Sequence, residues 1–370
     1  MHIVHCLFTL RTGGAQILTL NLLNELVDGH DVSLIVVNDQ YMSSLLVGLD
    51  HRVQVYFLER QEGSRNPLPI LRLNWLLHQL KPDIVHCHER KMVQLLKTSR
   101  AKTVYTVHDV RIPADTFASY DALVAISEAV ADDVRQRTDL PIRVIHNGVP
   151  IQRFSRRTQY SLGPDEPIRI VQTGRLMHEK KGQHILLEAL SLLVHQHGET
   201  RLQLDFIGEG DSLTYLNELT RSLRLDSYVR FRGHRDWTWL QANLSTYHLL
   251  VQPSIYEGFG LTVVEGLAAG LPVLVSDAGG PAEIVRSLAG GLLFTTEDAG
   301  SCVDALLRLI RAYRTQTVTD LVGVPALTND GAYSIRAMAN QYVDLYQQLL
   351  TNRTAPPAEA LDPSTYFSPA

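Results

Sequence analysis

Short apolar runs alternate with amphipathic stretches along almost the whole chain, and this rhythm constrains the fold more than any other feature. Val32–Val37, Ile84–Cys87, Lys102–Val107, Ala122–Ala125 and Arg143–Ile145 have the length and pattern of strands. Ala15–Val27, Ile70–Gln79 and Glu128–Arg137 read as helices. Strands that alternate with helices form parallel sheets covered on both faces. Ser155–Pro167 interrupts the rhythm with polar residues, glycine and prolines, and is expected to link two domains. The alternation then resumes. Ile168–Gln172, Leu202–Ile207, Val229–Arg232, Leu249–Gln252 and Val273–Ser276 are expected strands; Lys181–His197, Asp211–Leu223, Asp236–Ser245 and Leu261–Ala269 are expected helices.

The fold class that follows is α/β, with two doubly wound parallel-sheet domains over residues 1–158 and 159–332. A closing helix over 333–350 could cross back to the first domain, and residues 351–370, rich in Pro, Ala and Ser, form an expected mobile tail. Ligands bind such sheets at the carboxyl ends of the strands, so a central cleft between the domains is the expected site. A length of 370 residues suits two domains. A net charge of -5 gives no general attraction to nucleic acid. The 3 cysteines, Cys6, Cys87 and Cys302, are too scattered for a zinc cluster or a disulfide framework. The apolar start, Met1 to Leu10, lacks a basic leader, and no run is long enough to span a bilayer. A cytoplasmic protein is expected, with peripheral contact at the cytoplasmic face of the inner membrane left open.

The segment Pro253-Ser-Ile-Tyr-Glu-Gly-Phe-Gly-Leu-Thr-Val-Val-Glu265 carries the most chemistry. A strand, a glycine turn and a helix N-terminus present free backbone N–H groups to an anion. Glu257 and Glu265 flank that turn and would repel a phosphate unless they face something else. Sugar hydroxyls can donate to carboxylates, so a ligand with phosphate and polyol parts, such as a nucleotide sugar, fits. A capping role near the positive end of a helix dipole would account for one glutamate better than for two.

Other motifs have bland alternatives. Thr12-Gly13-Gly14-Ala15 is either a phosphate-approach loop or a tight strand-to-helix turn. It is not the G-x-G-x-x-G of a dinucleotide fold. Arg175, Lys180 and Lys181 lie on a strand-to-helix loop, where they form either a diphosphate clamp or a solvated basic surface. His108 ends a strand and could contact an acceptor, or could be a structural histidine. His86 and His88 alternate onto one strand face, yet no further ligand is evident, so no metal site is expected. Arg90, Lys91, Lys97, Arg100, Lys102 and Arg111 make a basic stretch, which is either ordinary surface or attractive to anionic headgroups.

Taken in order, these motifs resemble the retaining glycosyltransferases of family 4, the group 1 glycosyl transferases, which have the GT-B architecture of two Rossmann-like domains. The resemblance rests on Gly13-Gly14-Ala15, Tyr105-Thr-Val-His-Asp109, Val124-Ala-Ile-Ser-Glu128 and Val144-Ile-His-Asn-Gly-Val149 with Phe154. It continues through Gly174-Arg175, Lys181-Gly182, Phe206-Ile-Gly-Glu-Gly210, Phe231-Arg-Gly-His234, Glu257–Glu265 and Ser276–Glu283. It implies that Glu257 binds sugar hydroxyls and Glu265 the ribose. Arg175 and Lys181 would clamp the diphosphate, Lys181 being preferred to Lys180 because it precedes Gly182. Gly258, Phe259, Gly260, Leu261 and Thr262 would surround the donor phosphates, with Gly13 and Gly14 against them. Gly208, Gly233 and His234 would shape the base pocket, and His108 would lie near the reacting sugar. Gln16 departs from the glutamate of many relatives.

The activity implied is transfer of a hexose-type sugar from a nucleoside-diphosphate donor to a glycan or glycolipid hydroxyl, with retention. Bacterial surface polysaccharide or lipopolysaccharide synthesis is the implied setting. No cofactor or metal is expected, and the donor is a substrate. A nucleotide-sugar epimerase on the same fold, or a non-catalytic nucleotide-sugar binding protein, are the alternatives.

Overall fold

The computed structural model describes residues 1–97, 100–163 and 165–351. The backbone divides into two units, one of Met1–Pro150 with the chain from Asn329 onward, the other of Ile151–Thr328.

The first unit holds seven parallel strands: β1 (His2–Leu7), β2 (Asp31–Asn38), β3 (Gln54–Arg60), β4 (Ile84–Cys87), β5 (Lys102–Val107), β6 (Ala122–Ala125) and β7 (Ile142–Val144). Their order is β3-β2-β1-β4-β5-β6-β7. Helices α1 (Gly14–Leu26), α2 (Leu68–Leu80) and α3 (Glu128–Arg135) belong to the crossovers. β1 and β4 are buried on both faces, almost throughout, because helices cover both. The strand order reverses between β1 and β4. Loops there run apart and leave a crevice at the carboxyl ends. Thr12-Gly13-Gly14 follows β1, His88 follows β4, and His108 follows β5.

The second unit holds six parallel strands: β8 (Ile168–Thr173), β9 (Leu202–Ile207), β10 (Val229–Phe231), β11 (Leu249–Gln252), β12 (Val273–Ser276) and β13 (Gly291–Phe294). Their order is β10-β9-β8-β11-β12-β13, with the reversal between β8 and β11. Its helices are α4 (His178–Lys181), α5 (Gln183–His195), α6 (Leu213–Ser222), α7 (Trp237–Asn243), α8 (Leu261–Ala268), α9 (Gly279–Leu288), α10 (Ala299–Thr315) and α11 (Val318–Leu321). Leu186, Leu190 and Leu193 of α5 pack with Leu306, Leu309 and Tyr313 of α10 in one apolar core.

Two expectations are corrected. The single helix over Lys181–His197 is split at Gly182 into α4 and α5, because Gly182 takes a left-handed conformation (φ 64). Ser155–Pro167 does not behave as a free linker: the units divide at Pro150, and its arginines bind the second unit. The Ser155 N–H donates to the Gln241 carbonyl at 2.9 Å and the Arg157 N–H to Ala269 at 2.8 Å. The Arg156 guanidinium donates to the carbonyls of Leu267 and Val324 at 3.4 and 3.2 Å. Arginine forks of this kind satisfy carbonyls left open at a helix carboxyl end.

The chain returns to the first unit as helix α12 (Ile335–Leu350), whose N-cap Ser334 accepts from the Ala337 N–H at 3.0 Å. The Val149 N–H donates to Tyr333 and the Ile335 N–H to Val149, both at 3.0 Å. The approach is close enough that a Cβ on Gly148 would lie 2.2 Å from the Ser334 carbonyl oxygen. α12 buries Tyr342 and Tyr346 against the first sheet. Tyr346 Oη lies 2.6 Å from His86 Nδ1, His86 Nε2 2.7 Å from Thr106 Oγ1, and that oxygen 2.9 Å from Tyr342 Oη. Most of the expected tail, residues 352–370, lies outside the described residues. Among the described residues no helix is long and apolar enough to cross a membrane.

Removing the Tyr346 hydroxyl tests how firmly α12 is attached. Tyr346→Phe leaves His86 Nδ1 buried without its partner, which should cost about 1–2 kcal/mol in denaturant unfolding. An unchanged midpoint would show that the bond contributes nothing to stability.

Candidate active site

The reversal in the second sheet gathers most of the predicted site residues. The close approach of Gly182 to β11 places Lys181, since a Cβ there would lie 1.8 Å from the Pro253 carbonyl oxygen. The Ile255 N–H donates to the Lys180 carbonyl at 2.9 Å, which joins the end of α4 to the loop after β11. Lys181 Nζ consequently reaches Glu257 Oε1 at 2.5 Å, with each side chain about one-seventh exposed (16% and 14%). Lys180 takes another direction, over the Tyr256 ring at 5.0 Å. The structure thus sends these two adjacent lysines to different partners.

Glu257 has further partners. Ser254 Oγ donates to its Oε2 at 2.8 Å and Gln252 Nε2 at 3.1 Å. Gln252 Nε2 also donates to Ser254 Oγ at 2.7 Å, while its Oε1 accepts from Thr262 Oγ1 at 3.1 Å. Burial works against ionisation of Glu257, but the Lys181 charge and hydrogen bond, the Ser254 hydroxyl and the Lys180 charge outweigh it. They hold the carboxyl below its ordinary range. Gln252 and Ser254 are functional candidates that sequence reasoning missed. Gln252 ends a buried apolar strand, where an amide needs a partner, and that was the available signal.

The turn Glu257–Gly260 packs on the start of α9. The Gly280 N–H donates to the Glu257 carbonyl at 3.1 Å. Gly258, Phe259 and Gly260 are buried, with Gly260 at the N-cap of α8. Leu261 and Thr262 open that helix, so its first N–H groups face away from intrahelical partners. Glu265 lies one turn further on. Its carboxyl accepts from Trp237 Nε1 at 3.2 Å, and burial pushes it up to about 7 although that bond pulls the other way. Trp237 is a third residue that the sequence did not mark.

Arg175 sits on the opposite side of the reversal, after β8. Its side chain is exposed, and no ion pair ties it among the described residues. Its carbonyl accepts from Gln183 Nε2 at 3.0 Å, which secures the loop. The Gly208 N–H donates to the Gly233 carbonyl at 2.9 Å, and the His234 N–H donates to Glu209 Oε1 at 3.3 Å. These three residues line the ends of β9 and β10. The second unit therefore offers two acids of different character, a paired cation and a free one, and a helix N-terminus.

In the first unit, Gly13 caps α1 in extended backbone (φ -171) and Gly14 opens the helix. His108 is half-buried, with Nε2 2.9 Å from His88 Nδ1. His86 and His88 do share a face, as alternation requires, and His5 of β1 joins them. The three offer ring nitrogens within 4.8 Å of one another. His5 is the ligand-type residue that the sequence reading lacked; its β1 position in register with His86 was the signal.

Comparison with known proteins identifies the family and the fold. The family model of glycosyl transferases group 1 matches residues 156–318, and that of glycosyltransferase family 4 matches residues 12–153. Glycogen synthase of Mycobacterium tuberculosis is 29% identical over 61% of this chain and 59% of its own length. The chain spans about three fifths of that relative. A lipopolysaccharide core biosynthesis glycosyltransferase of Rhizobium meliloti is 25% identical over 74% of this chain and 78% of its own. The structure of Anabaena HepE, solved with UDP and glucose, superposes with a TM-score of 0.76 at 19% identity, covering 94% of this chain and 100% of that one. That likeness establishes the same two-domain fold, the GT-B architecture.

The buried ion pair makes an energetic prediction. Lys181→Ala leaves the Glu257 carboxylate without its cation and should cost about 3 kcal/mol. The double variant Lys181→Met, Glu257→Gln removes both charges and should be markedly more stable than the single one. Equal unfolding midpoints for the two variants would show that the pair is not a buried unit.

Proposed function

Because the chain belongs to the group 1 glycosyl transferases, we propose that it moves a hexose-type sugar from a nucleoside-diphosphate donor to a hydroxyl of a glycan or glycolipid, with retention. The observation that carries this reading is the pairing of Lys181 with Glu257 beside the N-terminus of α8. A diphosphate needs cations and backbone N–H groups; a sugar needs acceptors for its hydroxyls. Here the two requirements meet within one hydrogen-bonded cluster.

The roles follow from the chemistry of each group. Arg175, free of an ion pair among the described residues, offers a planar fork to two phosphate oxygens. Lys181 exchanges part of its contact with Glu257 for the phosphate nearest the sugar. Glu257, released from that contact and still held by Ser254 and Gln252, accepts from sugar hydroxyls. As the glycosidic bond breaks, charge grows on the diphosphate. Arg175, Lys181 and the α8 N–H groups stabilise it there, so the reading requires no metal. With retention, the acceptor attacks on the face from which the diphosphate leaves, and the departing phosphate takes the acceptor proton. His108 of the first unit is the candidate beside the acceptor and the reacting sugar. Glu265 accepts from the ribose, while Trp237 orients its carboxyl. Surface polysaccharide or lipopolysaccharide assembly on the cytoplasmic side is the proposed setting, supported by the Rhizobium relative.

Thermal-shift screening with UDP-, GDP- and ADP-sugars should single out one donor by a raised Tm. With that donor, Glu257→Ala and Lys181→Ala should each reduce turnover at least about a hundredfold, the scale of a lost transition-state contact. Near-normal turnover in both variants would overturn the site. NMR of the product should show the anomeric configuration of the donor; an inverted product would overturn retention. A new nucleotide sugar formed without acceptor would identify an epimerase instead.

Donor binding should also depend on pH. Glu265 accepts two ribose hydroxyls only as a carboxylate, and it titrates at about 7. As pH falls through that value it takes up a proton, so affinity should weaken, by up to about tenfold per unit. In Glu265→Gln this component should vanish. The phosphate protonation common to both proteins cancels in the difference, which calorimetric titration between pH 5.5 and 8 would measure. Identical pH profiles would exclude ionised Glu265 from the donor site.

A further inference from the structure

The buried histidines of the first unit form a line that ends at His108. His5 Nδ1 lies 3.0 Å from His88 Nε2, and His88 Nδ1 lies 2.9 Å from His108 Nε2. Every link joins the Nδ1 of one ring to the Nε2 of the next. The pKa of each ring is lowered by burial, His5 to about 3 and His108 to about 4, so all three are neutral near pH 7. A neutral imidazole carries one N–H, and each link needs one donor. Only two arrangements satisfy both links: all three rings protonated on Nδ1, or all three on Nε2.

The far end of the line distinguishes them. His5 Nε2 is fully buried and has no hydrogen-bond partner among the described residues. Protonation on Nε2 would strand an N–H donor there, whereas protonation on Nδ1 leaves only a bare lone pair. Orphaned buried N–H groups are the rarer of the two in folded proteins. Thr19 Oγ1 is the one competing contact, 3.4 Å from His88 Nε2; its proton goes to the Ala15 carbonyl at 2.8 Å. At that length it is too weak to reverse the line. His86 stands outside the line, stacked on His88 at 4.6 Å between ring centroids, with its own nitrogens on Tyr346 and Thr106.

We propose that His88 and His5 are positioning residues that fix His108 as the Nδ1–H tautomer, so that His108 presents a hydrogen-bond donor to a substrate oxygen. His108 then acts by donating to an oxygen that gains charge or must be held. It does not offer a lone pair for removing the acceptor proton. This rests on the reading of His108 as a residue that meets substrate; the tautomer itself does not.

The test uses the full chain with histidine rings labelled in ¹⁵N. Long-range ¹H–¹⁵N correlation at pH 7.5 reports the tautomer of each ring, with assignment by His5→Gln, His88→Gln and His108→Gln. Three Nδ1–H rings are expected. An Nε2–H or rapidly exchanging His108 overturns the proposal, and this wild-type measurement holds even if a variant fails to fold. In activity assays, His88→Gln should lower kcat about tenfold or more while the donor KM changes less than about twofold. A mis-set tautomer can cost far more than that in a hydrolase site. His88→Gln placed on His108→Ala should add nothing further; an additive loss would mean that His88 acts elsewhere. If His108→Ala proves fully active while its ring is Nδ1–H, the function assigned to His108 falls and the tautomer line stands. If His108→Ala is inactive and the ring is Nε2–H, the reverse holds.

Discussion

An ammonium and a carboxylate taken out of water together organise the second unit. Neither Lys181 nor Glu257 would tolerate its surroundings alone, since burial of a single charge costs far more than a hydrogen bond returns. Their pairing at 2.5 Å requires α4 to end where it does and the loop after β11 to pass directly beneath. Gly182 supplies that approach, and Gln252 and Ser254 fill the remaining acceptor sites on the carboxylate. In the proposed function, the same pair keeps the two groups in place for the donor. Lys181 favours the ionised form of Glu257 and the two side chains hold each other in position, and in that function a substrate with an anionic group at one end and hydroxyl donors at the other replaces both contacts at once.

Much of this was legible in the chain. Buried parallel strands are near-continuous apolar runs, so β4, β5, β8, β9, β11 and β12 announce themselves. β3 and β13 lie at sheet edges, where Gln54–Arg60 and Gly291–Phe294 are only partly buried. Neither presents the uninterrupted apolar signal of a central strand. α10 is different, because Cys302, Val303, Leu306, Leu309, Ile310 and Tyr313 stand at helical spacing and the pattern was there to be read. Ser155–Pro167 misled through composition. Arg156 and Arg157 look like solvated linker residues until the carbonyls they serve come from Leu267, Val324 and Tyr247, distant in the sequence.

The site shows the same division. Glu257 and Glu265 stand out because two acids around a glycine turn suit few other purposes. Their difference does not stand out: one carboxyl is held down by a lysine 76 residues earlier, the other raised by burial against the pull of the Trp237 hydrogen bond. Local sequence names the groups, whereas ionisation depends on neighbours brought from elsewhere. The histidines repeat the point. Alternation placed His86 and His88 on one face, but only the parallel register of β1 with β4 brings His5 opposite His86.

The return of α12 has a consequence for how the molecule is made. The first unit is interrupted in the sequence by the whole of the second, so a ribosome delivers its sheet first and its last helix about 200 residues later. At a typical elongation rate this is a delay of roughly ten to forty seconds. Throughout that interval the sheet lacks Tyr342 and Tyr346, and His86 lacks the Tyr346 hydroxyl. The second unit, continuous in the chain, can close while the first waits. Newborn chains therefore pass through a stage in which the sheet face that α12 covers, His86 included, is open to water.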